Sequence, residues 1–153
     1  MKKIIFLSLI SIAAILFNNK TIASNEINLN NIKKIEKETQ LCLDKGIAMH
    51  NCNYEAIYKY EIEIEKTIKK LKKKLTQSQY EKLLTSQKKW GEFAKANNEL
   101  YNETFDVIPA TIVYLFGSQY KKQIYENRLK ELIKFNNEYS ILLKDYNAKE
   151  YYQ

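Results

Sequence analysis

Three glycines and one proline among 153 residues leave this chain few places to turn sharply. Sandwiches, barrels and Gly-rich phosphate loops all need such residues at their turns, so these architectures are excluded. One histidine and two cysteines are too few for a zinc finger or a Cys/His cluster. No G-x-S-x-G or H-E-x-x-H string occurs. No metal and no cofactor is expected, and no enzyme chemistry is indicated. Apolar residues at 45% and charged residues at 28% match ordinary globular stock, and the length suits one domain.

Helical periodicity fills the space that turns do not. Met49, Cys52, Ala56, Tyr60, Ile64, Ile68, Leu71 and Leu75 step by three and four, which predicts a long helix over 48–75. A shorter helix fits 32–44 through Ile32, Ile35, Thr39 and Cys42, with Gly46 as a left-handed stop. Thr76-x-x-Gln79 and Ser78-x-x-Glu81 both have capping-box spacing, so a further helix is predicted over 78–103. Its stripe runs Tyr80, Leu83, Leu84, Gln87, Trp90, Ala94, Asn97 and Tyr101. Residues 102–111 read as the one real loop and contain Pro109. A last helix fits 112–144, with Ile124, Tyr125, Arg128, Leu129, Leu132, Phe135, Tyr139 and Leu142 on its buried face. The segment Ile112 to Phe116 is apolar all round, which fits either deep burial or a contact patch. The predicted fold is all-α: an antiparallel helical bundle of three long helices plus a short N-terminal helix.

The N-terminus reads as an address. Met1-Lys2-Lys3 precedes fourteen uncharged residues, Ile4 to Phe17, and Thr21-Ile22-Ala23 places small residues before a cut at Ser24. This is the layout of a bacterial secretory signal peptide over 1–23. A helix of fourteen residues reaches about 21 Å, short of a hydrocarbon core of about 30 Å, so a membrane anchor fits less well. The expected organisation is therefore a signal over 1–23, a flexible lead-in over 24–31, a helical domain over 32–145 and a tail over 146–153. Removal of 1–23 takes away Lys2, Lys3 and Lys20 and lowers the formal charge from +7 to +4. Such a charge is weak support for nucleic acid binding, and export weakens it further. In a periplasmic or secreted setting, two cysteines read as a disulfide between Cys42 and Cys52, with two free thiols as the competing state. That bond closes a short loop and contributes about 2–3 kcal/mol.

Several side chains stand out. Arg128 is the only arginine beside 24 lysines, which suggests a planar, bidentate contact that lysine cannot make. Glu65, Glu92 and Glu99 are candidate salt-bridge partners, and an anion or protein partner is the alternative. Trp90 is the only tryptophan and fits the core or a binding anchor. His50 lies between the cysteines, next to Asn51. Glu61, Glu63 and Glu65 do not converge, since residues two apart on a helix face different sides. Lys66, Lys69, Lys70, Lys72, Lys73 and Lys74 crowd one helix end, which reads as a solvated face or an anion-binding patch.

The run Cys42 … Met49-His50-Asn51-Cys52, followed by Ala56, Tyr60, Ile64, Leu71 and Leu75, resembles the LprI-type lysozyme-inhibitor family of exported bacterial proteins. Gln87-Lys88-Lys89-Trp90 is similar to that family's Gln-x-x-Trp element, and Tyr125 to Leu132 to its closing motif. The family's second cysteine pair falls at Asn98 and Tyr120 here, and both cysteines are absent together. The resemblance implies an exported, non-enzymatic inhibitor that occludes the cleft of a lysozyme-like or other peptidoglycan hydrolase. The presenting segments would be Gly46 to Asn51 and Thr104 to Phe116, with His50, Asn51, Trp90, Tyr114, Phe116 and Arg128 as candidate partner-binding residues. An envelope protein on anionic surfaces and an immunity protein against an exported toxin are the other readings.

Overall fold

In the computed structural model, residues 29–105 and 110–150 are described, and among them every regular element is a helix. The predicted signal and most of the lead-in, over 1–28, lie outside the described residues. So do 106–109, which include Pro109, and the last three residues of the tail. The chain divides into two units, 1–34 and 35–153. Of the first, only 29–34 is described, as the opening turns of α1 (29–43). The lead-in therefore ends sooner than its composition suggests.

The second unit holds the rest of α1 and three long helices: α2 (Met49–Lys72), α3 (Gln77–Phe105) and α4 (Ala110–Glu150). Residues 102–105 and 110–111, expected to be loop, are helical. Among the described residues, no helix is long and apolar enough to cross a membrane.

The turn from α1 to α2 is built as its residues demand. Gly46 takes φ 68° and its N–H reaches the carbonyl of Leu43 at 2.9 Å. Ala48 also sits in the left-handed region, at φ 49°, although it carries a Cβ. Cys42 and Cys52 are joined by a disulfide with Cα atoms 5.7 Å apart, so the turn is closed at both sides. At the start of α3, Thr76 and Gln79 form the capping box: Gln79 Oε1 accepts from the Thr76 N–H at 2.9 Å, and Thr76 Oγ1 accepts from the Gln79 N–H at 3.3 Å.

The core lies mainly between α2 and α4. Cys52, Ala56, Tyr60, Ile64 and Leu71 are buried on α2, as the stripe requires, and Asn53, Ile57 and Thr67 join them. Facing them on α4 are Ser118, Leu129, Leu132, Ile133 and Asn136. Of the expected buried face of α4, Arg128, Leu129 and Leu132 are buried, Ile124, Tyr125 and Tyr139 are half-buried, and Phe135 at 42% and Leu142 at 65% are exposed, while Ser118, Ile133 and Asn136 are buried instead. The cause is polar pairing. Asn53 Nδ2 donates to Ser118 Oγ at 2.9 Å, and Lys74 Nζ donates to Asn136 Oδ1 and Ser140 Oγ, both at 2.8 Å. Hydrogen-bonded polar residues occupy the seam, although Asn53 Oδ1 has no partner, and apolarity alone does not disclose them.

These pairs also fix direction. Position 53 meets 118, and 74 meets 136 and 140, so α2 and α4 run the same way. Tyr139 donates to Gln79 at 3.1 Å, Arg128 to Gln87 at 3.0 Å and Tyr120 to Asn97 at 3.1 Å, so α3 runs against α4. Helix α3 is loosely held. Of its expected stripe Ala94 is buried, Leu84 is exposed and the other six residues are half-buried; Phe93 and Leu100, beside the stripe, are exposed. Gly117 on α4 permits one close approach: a Cβ there would meet the Tyr101 ring at 3.2 Å.

Candidate functional site

The six candidate binding residues fall into two groups. His50, Asn51, Tyr114 and Phe116 gather at the end formed by the α1–α2 turn and the first turns of α4. Trp90 and Arg128 meet farther along, between α3 and α4. Tyr114 and Arg128 are fourteen residues apart on one helix, or about 21 Å.

At the first group, the parallel register of α2 and α4 brings His50 against Tyr114, with ring centroids 6.4 Å apart. The apolar opening of α4 is a surface, not a buried plug: Ile112, Tyr114 and Phe116 are all more than half exposed, and Val113 and Leu115 are intermediate. Ile47, in the disulfide-closed turn, is 79% exposed. Asn51 is exposed, and its N–H bonds the carbonyl of Ala48 at 2.8 Å. Tyr54, one turn along α2, carries Lys121 over its ring at 5.7 Å. Backbone geometry and the disulfide fix the turn, and the parallel helix pair fixes the aromatics beside it. The result is a set of exposed apolar and aromatic side chains around this end: Tyr114 on the side of His50, and Ile112 and Phe116 on another side of α4.

At the second group, Arg128 is 4% exposed. Its Nε donates to Gln87 Oε1 at 3.0 Å, Nη1 to Glu131 Oε2 at 2.9 Å and Nη2 to Ser86 Oγ at 3.3 Å. The expected partners Glu65, Glu92 and Glu99 are not the ones it uses. Its acid lies one turn ahead on its own helix, and its contacts across to α3 are neutral, because the register sets Ser86, Gln87 and Trp90 opposite it. The guanidinium lies 5.9 Å from the Trp90 ring, and Trp90 meets Tyr125 edge-on at 5.0 Å. Two cavities of about 430 and 490 Å³ open between α3 and α4 on either side of Arg128 and Glu131.

A third cluster gave no sequence signal. Glu126, on α4, lies between Lys122 and Lys130 and is nearly buried. Burial pushes its carboxyl up, but the hydrogen bond and charge of Lys130 outweigh this and hold it below the ordinary value. Glu36 of α1 faces it and is raised, first by burial and then by Glu126. Beneath them Tyr60 is fully buried, and its hydroxyl has no hydrogen-bond partner. Only the burial of Tyr60 was legible, since Glu36 and Glu126 are 90 residues apart. Glu61, Glu63 and Glu65 disperse as expected: Glu61 lies by Tyr125, Glu63 pairs with Lys66 and Glu65 with Lys69. Among the described residues, no group of three or more His, Cys, Asp or Glu could hold a metal.

No family model, curated protein or solved structure matches the chain.

Proposed function

We propose that this chain is an exported, non-enzymatic binding protein of the bacterial envelope that inhibits a peptidoglycan hydrolase by covering its substrate cleft. The observation that carries this reading is exposed Tyr114 set against His50 beside the Cys42–Cys52 turn, with Ile47 exposed in that turn and Ile112 and Phe116 exposed on another side of the same helix. Aromatic residues on fixed backbone lose little entropy when a partner covers them, and such residues dominate binding energy at interfaces. These side chains lie on the two presenting segments that the LprI-type resemblance implies. In this reading the long helices form an up-and-down bundle, with α1 stapled to it as a short fourth helix.

Two further features support the resemblance. Tyr120 meets the stretch of α3 that contains Asn98, bonding Asn97 and stacking on Tyr101 at 5.5 Å. A disulfide is also consistent with an oxidising compartment. The formal charge of +4 after loss of 1–23 favours a hydrolase that is not itself strongly basic, because like charges slow the encounter.

The test is a wall-hydrolysis assay with the purified protein against acidic and basic muramidases. Inhibition should saturate near equimolar protein and weaken at least tenfold in Tyr114→Ala combined with Phe116→Ala. Full activity of every hydrolase at large molar excess refutes the reading. The envelope-surface reading rests on Lys72 and Lys73, which have no acid within 4 Å among the described residues. Binding to anionic vesicles that disappears at high salt would favour it instead.

A further inference from the structure

The groove between α3 and α4 presents a combination found nowhere else among the described residues: a buried cation whose only acid partner stands in water. Arg128 is 4% exposed, yet the side chain of Glu131, which neutralises it, is 67% exposed. The other partners of Arg128, Ser86 and Gln87, are neutral. A guanidinium has more N–H donors than these three partners take up. A buried charge held against an exposed carboxylate gains from any anion that reaches it with less water around it. Lys82, on the rim of the same groove, adds a second positive charge.

The space beside Arg128 is shaped for the remainder of such an anion. The cavity of about 490 Å³ is walled by Leu75, Leu83, Leu132 and Phe135, with Gln79 and Tyr139 at its far end. That volume is in the range of small-molecule sites, where apolar walls and a few convergent polar groups are the rule. It exists because α3 is held to α4 by half-buried contacts and not by an interlocked core. The groove is distinct from the exposed side chains around Tyr114, so its occupancy does not depend on the function proposed above.

We propose that this groove binds a single-chain aliphatic carboxylate, with the carboxylate on Arg128 in place of Glu131 and the chain along Leu83, Leu132 and Phe135. Charge complementarity selects the head group, and the apolar walls select the tail. A neutral alcohol of the same chain length leaves Arg128 on Glu131 and gains only the apolar part.

Trp90 reports on the site, since it is the only tryptophan and lies 5.9 Å from Arg128. Dodecanoate, added to the purified chain below its micelle concentration, should change Trp90 emission saturably. Dodecanol should bind at least tenfold more weakly. Glu131→Gln should tighten dodecanoate at least threefold, because the internal competitor is gone. Arg128→Gln should abolish preference for the acid. Phe135→Glu, at an exposed position that leaves the core intact, should weaken dodecanoate at least tenfold, with helicity checked by circular dichroism. Absence of saturation, equal affinity for dodecanol, weaker binding by Glu131→Gln or undiminished binding by Phe135→Glu would each overturn the proposal.

Discussion

Tyr60 shows how a single side chain can be central to the core and still carry a polar cost. It is fully buried, and its hydroxyl has no partner. An unpartnered buried hydroxyl contributes nothing to stability, so Tyr60→Phe should change it by less than about 1 kcal/mol at pH 7, or raise it. The pH dependence has a definite sign. Burial first, then the charges of Glu126 and Glu36, raise the phenol above its ordinary value. A raised pKa leaves stability complete below about pH 10 and removes it as pH climbs further, because the unfolded chain loses the proton first. Urea unfolding at pH 7 and pH 11 should therefore show a smaller alkaline loss in Tyr60→Phe than in the parent. The loss should not vanish, since Lys59, held protonated by Glu55 and Glu38, acts in the same direction.

Among the elements, α2 was readable because its apolar positions step by three and four and face one neighbour. The Cys42–Cys52 bond was readable from the cysteine count and the expectation of a signal peptide. The seam face of α4 was not, since Asn53 bonds Ser118 and Lys74 bonds Asn136 across more than sixty residues of sequence. Arg128 was recognised as singular, but its partner was misassigned, because the choice between Glu131 and a distant glutamate rests on register. Two measurements belong at this scale. Reduction of the disulfide should cost about 2–3 kcal/mol in urea unfolding, as expected for closure of a loop with a sequence separation of 10. Gly91→Ala should stabilise by about 0.5–1 kcal/mol in thermal melts. Gly91 lies mid-way along α3 with nothing within 4 Å of where a Cβ would stand, so alanine removes flexibility without a clash.

For the whole molecule, burial is uneven: deep between α2 and α4, shallow along α3. Local opening follows burial, so amides over 81–100 should exchange at least about tenfold faster than those over 56–71 when followed by hydrogen exchange. Equal protection in both would mean that α3 is integral to the cooperative core. The two candidate surfaces reflect the same unevenness. The exposed aromatic residues stand on the firm end, where disulfide and parallel helices meet, and the Arg128 groove lies along the loose helix.

The same-direction pairing of α2 with α4 has a consequence for how the chain is made. Apart from α1, which is joined to it by the disulfide, the core partners of α2 lie on α4 and are separated from it by the whole of α3, among them Leu129, Leu132, Ile133 and Asn136. A polypeptide emerging N-terminus first, whether from a ribosome or through a narrow pore, has only α1 for α2 to close upon until α4 follows. A chain ending at Asn127 should therefore melt without a cooperative transition. The topology itself delays closure of the α2–α4 core until α4 has emerged.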